Sequence, residues 1–118
     1  MFKVIVAGSR GINDYALVER NLNQILKNKL TEDICIFCGM ARGVDSLGEQ
    51  YAIKHKLYLK MFPADWDAYG NKAGFLRNVE MAEGADALVA FWDGKSRGTQ
   101  HMINIAKKKD LQVRVVYV

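Results

Sequence analysis

Three times in this chain a short apolar run breaks into a turn that holds an arginine among glycines, and a helical pattern follows. Phe2-Lys3-Val4-Ile5-Val6-Ala7 leads into Gly8-Ser9-Arg10-Gly11. Ile34–Cys38 leads into Gly39-Met-Ala-Arg-Gly-Val-Asp45, and Ala87–Trp92 into Asp93-Gly-Lys-Ser-Arg-Gly-Thr99. Strands alternating with amphipathic helices form right-handed βαβ units, which build a parallel sheet covered on both faces. Glycine admits positive φ and close backbone approach. A helix N-terminus offers free N–H groups and partial positive charge, and arginine adds a planar fork suited to phosphate. Three such turns on one small chain point to a single anion-binding pocket.

The rest of the chain keeps the alternation. Asp14 opens a helix with Tyr15, Val18, Leu22, Ile25 and Leu26 on one face, and a second runs from about Val44 to His55 with Val44, Leu47, Tyr51 and Ala52 inward. Leu57–Phe62 reads as strand three, stopped by Pro63, and Pro63–Gly70 as a loop. A third helix is expected over Asn71–Glu83 with Gly84 as its C-terminal cap. A fourth covers Arg97–Lys109, and Leu111–Val118 closes the sheet as an edge strand with Gln112 and Arg114 on the wetter face. The expectation is one domain over residues 1–118, an α/β Rossmann-like doubly wound fold with five parallel strands in the order 3-2-1-4-5. That order brings the Gly8 and Asp93 turns together at the switch point, with the Gly39 turn beside them. The flavodoxin-like order 2-1-3-4-5 would instead join the turns after strands one and three, and the glycines and arginines favour the first order.

At 118 residues, 50% hydrophobic and 25% charged, the chain has the make-up of a soluble globular protein with a single core. Its net charge of +4 fits an anionic partner and equally fits dispersed surface lysines. Lys107-Lys108-Lys109 ends a helix, where cations offset the dipole. Phe2–Ala7 is too short for a signal peptide and no stretch approaches a membrane span. Cys35 and Cys38 have redox or zinc spacing, yet residues three apart on a strand face opposite sides, so they read as packing cysteines of a reduced, cytoplasmic protein. No metal site is expected, His101 reads as structural, and no cofactor is implied. Gly-x-Gly-x-x-Gly and Gly-x-x-x-x-Gly-Lys-Ser/Thr are both absent, which removes the usual NAD, FAD and ATPase signatures.

Candidate ligand contacts follow from the turns. Ser9, Arg10, Arg42, Arg77, Ser96 and Thr99 are placed against phosphate or ribose, with backbone N–H groups at Gly8, Gly39, Gly43 and Gly98. Asp45, Asn78, Asp93 and Arg97 join the set, Asp45 and Ser96 doubling as capping residues. On the third helix Phe75, Val79 and Ala82 form an apolar face, while Gly74, Arg77, Asn78 and Met81 form a second stripe that faces a ligand or another subunit. Trp66 and Tyr69 either stack on a base or close over the core as a lid.

Gly8-Ser9-Arg10, Gly39–Glu49, Phe62-Pro-Ala-Asp-Trp66, Tyr69-Gly70, Ala73-Gly74, Arg77-Asn78, Met81-Ala82, Ala85–Asp93 and Ser96–Thr99 together resemble the SLOG superfamily, in its short YspA-related branch. The resemblance implies a Rossmann-like module for nucleotides or nucleotide-derived ligands. Relatives include the LOG phosphoribohydrolases, which release a base from nucleoside monophosphates, and the DprA proteins, which bind single-stranded DNA. By resemblance Arg77 matches the LOG arginine of the third helix. The LOG glutamate after a glycine-threonine pair has no counterpart, since Gly98-Thr99 is followed by Gln100-His101-Met102-Ile103. An N-glycosidic hydrolase here would need Glu80 or Glu49 in its place, with Arg77 and Glu80 as the catalytic pair.

The expected function is therefore binding of a nucleotide or nucleotide-derived small molecule, for sensing, sequestration or processing. The alternatives are a LOG-like hydrolase of nucleoside 5′-monophosphates and a DprA-like binder of single-stranded nucleic acid. No membrane partner is expected, and a homo-oligomer is, through the Gly74/Met81 stripe.

Overall fold

The computed structural model describes residues 1–39 and 43–118, without the Asp45 side chain. Five parallel strands, β1 (Phe2–Gly8), β2 (Ile34–Cys38), β3 (Tyr58–Met61), β4 (Ala87–Trp92) and β5 (Gln112–Tyr117), lie in the order β3-β2-β1-β4-β5. The register pairs Val4 with both Ile36 and Ala87, so β1 is central and the crossover direction reverses on either side of it. Period-two alternation sorts the strand side chains into two cores. Val4, Val6, Ile36, Cys38, Val89 and Phe91 pack beneath α1 (Tyr15–Leu26) and α2 (Val44–Lys54). Ile5, Ala7, Cys35, Phe37, Leu88 and Ala90 face the other way. Cys35 and Cys38 thus sit in different cores, on opposite faces of the sheet. Burial raises the Cys35 thiol pKa, as suits an inert packing residue.

Local chemistry places the helices. The Asp14 carboxylate accepts from the Leu17 N–H at 3.1 Å and starts α1, whose Val18, Leu22 and Leu26 are buried at helical spacing. Gly48 lets α2 lie flush on β1: a Cβ there would stand 3.0 Å from Val6.

The region after β3 differs from expectation. A one-turn helix, α3 (Trp66–Tyr69), forms inside the stretch read as loop, because the Asp65 carboxylate caps the Ala68 N–H at 3.0 Å. The long helix α4 then runs Ala73–Gly84. Gly84 is its last helical residue rather than a left-handed cap, since Ala85 continues straight into extended geometry toward β4. The inward face of α4 is displaced as well, although Ala82 stays buried as expected. Phe75 is exposed and Val79 only partly covered, whereas Ala73, Asn78, Met81 and Ala82 are buried. Met81 belongs to the core under the sheet, so the Gly74/Met81 stripe is not available as a subunit interface. The helix α5 (Arg97–Lys108) packs beside α4 with Thr99, Met102, Ile103 and Ala106 buried.

No helix among the described residues is long and apolar enough to cross a membrane.

A cleft at the switch point of the sheet

Where β1 and β4 part, their C-terminal ends open into a cavity of about 1030 Å³. Ligands in open α/β sheets bind at this kind of position, because the loops there diverge to opposite faces and leave a crevice. Gly8, Arg10 and Gly11 line it from the β1 turn and Gly39 from the end of β2. Pro63, Ala64 and Trp66 follow β3, and Ser96, Gly98 and Thr99 follow β4. The α4 stripe Gly74, Arg77, Asn78 and Met81 forms one wall.

The glycines divide into two kinds. A Cβ on Gly8 would stand 2.6 Å from the Phe91 carbonyl and from the Val44 side chain. Gly43 has φ of +77°, and its Cβ would meet the Arg10 carbonyl oxygen at 2.5 Å. Both serve packing, Gly8 at the end of β1 against β4 and the start of α2, and Gly43 against the β1 turn. Gly11 and Gly98 have nothing within 4 Å of an added Cβ and lie open to the cavity.

Ser9 is buried: its N–H donates to the Phe91 carbonyl at 3.1 Å, and its Oγ accepts from the Asp93 N–H at 3.3 Å. It latches the first turn to the third and does not line the cavity. Asp93 is also directed at the chain itself. Its carboxylate accepts from the Lys95 and Ser96 N–H groups at 2.8 Å each, and those donors lower its pKa. The Trp92 indole N–H donates to the Ser96 carbonyl at 3.0 Å, which pins the same loop from the side. The Ser96 and Thr99 hydroxyls, 3.2 Å apart, are thereby held together on the cavity wall. Arg97 is exposed and not part of the lining.

Asn78, buried on α4, joins these loops to the other side of the cleft. Its Oδ1 accepts from Arg77 Nε at 3.2 Å, which orients the amide because a guanidinium only donates. Its Nδ2 then donates to the Gly98 carbonyl and to His101 Nδ1, each at 3.2 Å. The His101 ring must accept there, which leaves its proton on Nε2, and burial lowers its pKa and so favours that neutral form. The Arg77 guanidinium donates to the Gly39 carbonyl and to the Phe62 carbonyl. Arg77 and Asn78 thus tie the ends of β2 and β3 to the start of α5.

Among the described lining residues two are cationic, Arg10 and Arg77, and none is acidic. Glu80 is exposed and lies outside the lining, as does Glu49. Arg42 and the Asp45 side chain, both expected at the ligand, fall outside the described residues. Among those residues no group of His, Cys, Asp and Glu could hold a metal ion. Ala7, Pro63, Ala64, Asn71, Phe75 and Met102 were not anticipated in the lining. Ala7, Pro63 and Ala64 carry the signal of position near the carboxyl end of a strand, whereas Asn71, Phe75 and Met102 carry none.

The model of the YspA, cpYpsA-related SLOG family matches residues 2–69, more than half of the chain. The chain belongs to that family. The match spans β1 through α3, hence the turns after β1, β2 and β3. The chain is also similar to the Gene 61 protein of Mycobacterium phage D29, 34% identical over 119 residues that take in 96% of this chain and 94% of that protein. This SLOG-family chain has no match among solved structures.

Proposed function

We propose that the chain binds a nucleotide or nucleotide-derived ligand in the cleft between β1 and β4, with the phosphate toward Arg10, Gly98 and the Ser96–Thr99 hydroxyl pair. The observation that carries this reading is the cleft lining: two arginines, two hydroxyls and an open glycine at a helix start, with no carboxylate among the described residues. Membership of the SLOG family is consistent with such a ligand. Arg77 contributes by holding the loop carbonyls, and it lines the same cleft.

Binding is favoured over hydrolysis on the same ground. Cleaving an N-glycosidic bond calls for a group that stabilises an oxocarbenium-like sugar or activates water. Glu80 is outside the cleft, and Gln100 cannot act as a base. Calorimetry against nucleoside monophosphates, ADP-ribose and cyclic nucleotides tests the reading. Saturable binding is expected, reduced by Arg10→Ala, with no free base released on chromatography. Absence of binding by every phosphorylated ligand would overturn it.

A further inference from the structure

Trp66 and Phe75 are large aromatic residues left 53% and 45% exposed, and both line the cleft. Water contact at two aromatic surfaces forfeits the burial energy such side chains normally gain. Their exposure is nevertheless built in. Trp66 opens α3, which the Asp65 carboxylate caps, so its backbone is fixed. The indole rests against the bare backbone of α4 at Gly74, where an added Cβ would stand 3.4 Å from its ring. Phe75 is held by the His101 ring, centroids 4.6 Å apart. Asn71 lines the same end, and its amide makes no hydrogen bond among the described residues.

Resting on the phosphate-binding reading above, we infer that this end of the cleft receives the nucleobase of the ligand, stacked on Trp66 and bordered by Phe75 and Asn71. A preorganised aromatic face meets a flat heterocycle without ordering cost, and base–aromatic stacking tolerates any base. An uncommitted amide offers one donor and one acceptor edge to ring nitrogens or exocyclic groups. The spacing suits one nucleotide. Gly74 carries Trp66 and Asn78 carries the Gly98 loop, and these residues are one turn apart, about 6 Å along the axis. That is the reach of a ribose between a base and its 5′-phosphate. The chemical class of ligand is therefore a nucleoside phosphate rather than a sugar phosphate or a bare anion.

Titration of the protein with AMP, GMP and ribose 5-phosphate, read by calorimetry and tryptophan fluorescence, tests the assignment. At least one nucleotide is expected to bind on the order of tenfold to a hundredfold more tightly than ribose 5-phosphate, with fluorescence quenching. Trp66→Leu should abolish both the advantage and the quenching while leaving ribose 5-phosphate binding unchanged, and Trp66→Phe should keep most of the advantage. Equal binding of nucleotide and sugar phosphate would overturn the base site and leave the phosphate site standing. Binding of none of the three would remove both. A Trp66→Leu variant that loses mass in light scattering with unchanged nucleotide affinity would assign the aromatic surface to a second copy of the chain, and would also overturn the proposal.

Discussion

At Gly43, positive φ and the Arg10 carbonyl 2.5 Å from any Cβ act together, so the position has no room and no relaxed conformation for a side chain. Gly43→Ala is expected to cost at least about 2 kcal/mol in urea unfolding. Gly98→Ala makes the contrast: its Cβ meets nothing, stability should stay within about 0.5 kcal/mol of the parent, and phosphate-ligand affinity should fall because the methyl enters the cleft. Equal destabilisation of the two variants would break the distinction between packing glycines and cleft glycines. Asn78 is a third kind of residue, a buried amide that donates two hydrogen bonds and accepts one. Asn78→Leu removes the side-chain donor to the Gly98 carbonyl and His101 Nδ1 and the acceptor of the Arg77 Nε–H, and should cost roughly 2–3 kcal/mol by the same measurement.

Among elements, α1 and α2 are joined by a polar seam far from the cleft. A single Glu19 oxygen accepts from Lys54 at 2.8 Å, His55 at 3.0 Å and the Tyr15 hydroxyl at 3.2 Å. Bonds from Lys54 and then His55 pull the Glu19 carboxyl down to about 2 from an ordinary 4.5. A carboxylate more acidic in the folded state stabilises it fully above the ordinary value, and that contribution drains away as pH falls from 4.5 toward 2. Thermal unfolding followed between pH 7 and pH 2 should therefore show a loss of midpoint below about pH 4.5 that is shallower in Glu19→Gln. Identical profiles would mean the seam is too solvated to matter. The elements around α4 were harder to read. Hydropathy assigned the inward face to Phe75, Val79 and Ala82. Ala82 is buried, but a wall that supplies hydrogen bonds to loop carbonyls turns Arg77 and Asn78 toward those loops and leaves Phe75 exposed. An apolar count cannot register carbonyls contributed by other elements.

For the whole molecule, a ligand that binds only the folded chain raises its stability by mass action. A cognate nucleotide at a hundredfold excess over Kd should add about 2.7 kcal/mol, seen as a rise in Tm that Arg10→Ala diminishes. No rise with any nucleotide would contradict the proposed site.

Strand order, the two-sided core, the opposed cysteines and the capped start of α1 all follow from residue pattern. The core, the cysteines and the cap depend on the polarity of neighbours a few positions apart, and the strand order on which strand ends carry the glycines and arginines, all of which the chain carries in itself. Gly8, Gly39, Gly98, Ser96 and Thr99 were likewise legible as a group, because loops after strands must converge at the switch point. Only the folded chain decided that Ser9 and Asp93 are spent on loop-to-loop bonds, that Met81 is core, and that Trp66 and Phe75 stand open beside the cleft. Those outcomes depend on which distant backbone groups arrive within 3 Å or so of each side chain, and no local spacing encodes that.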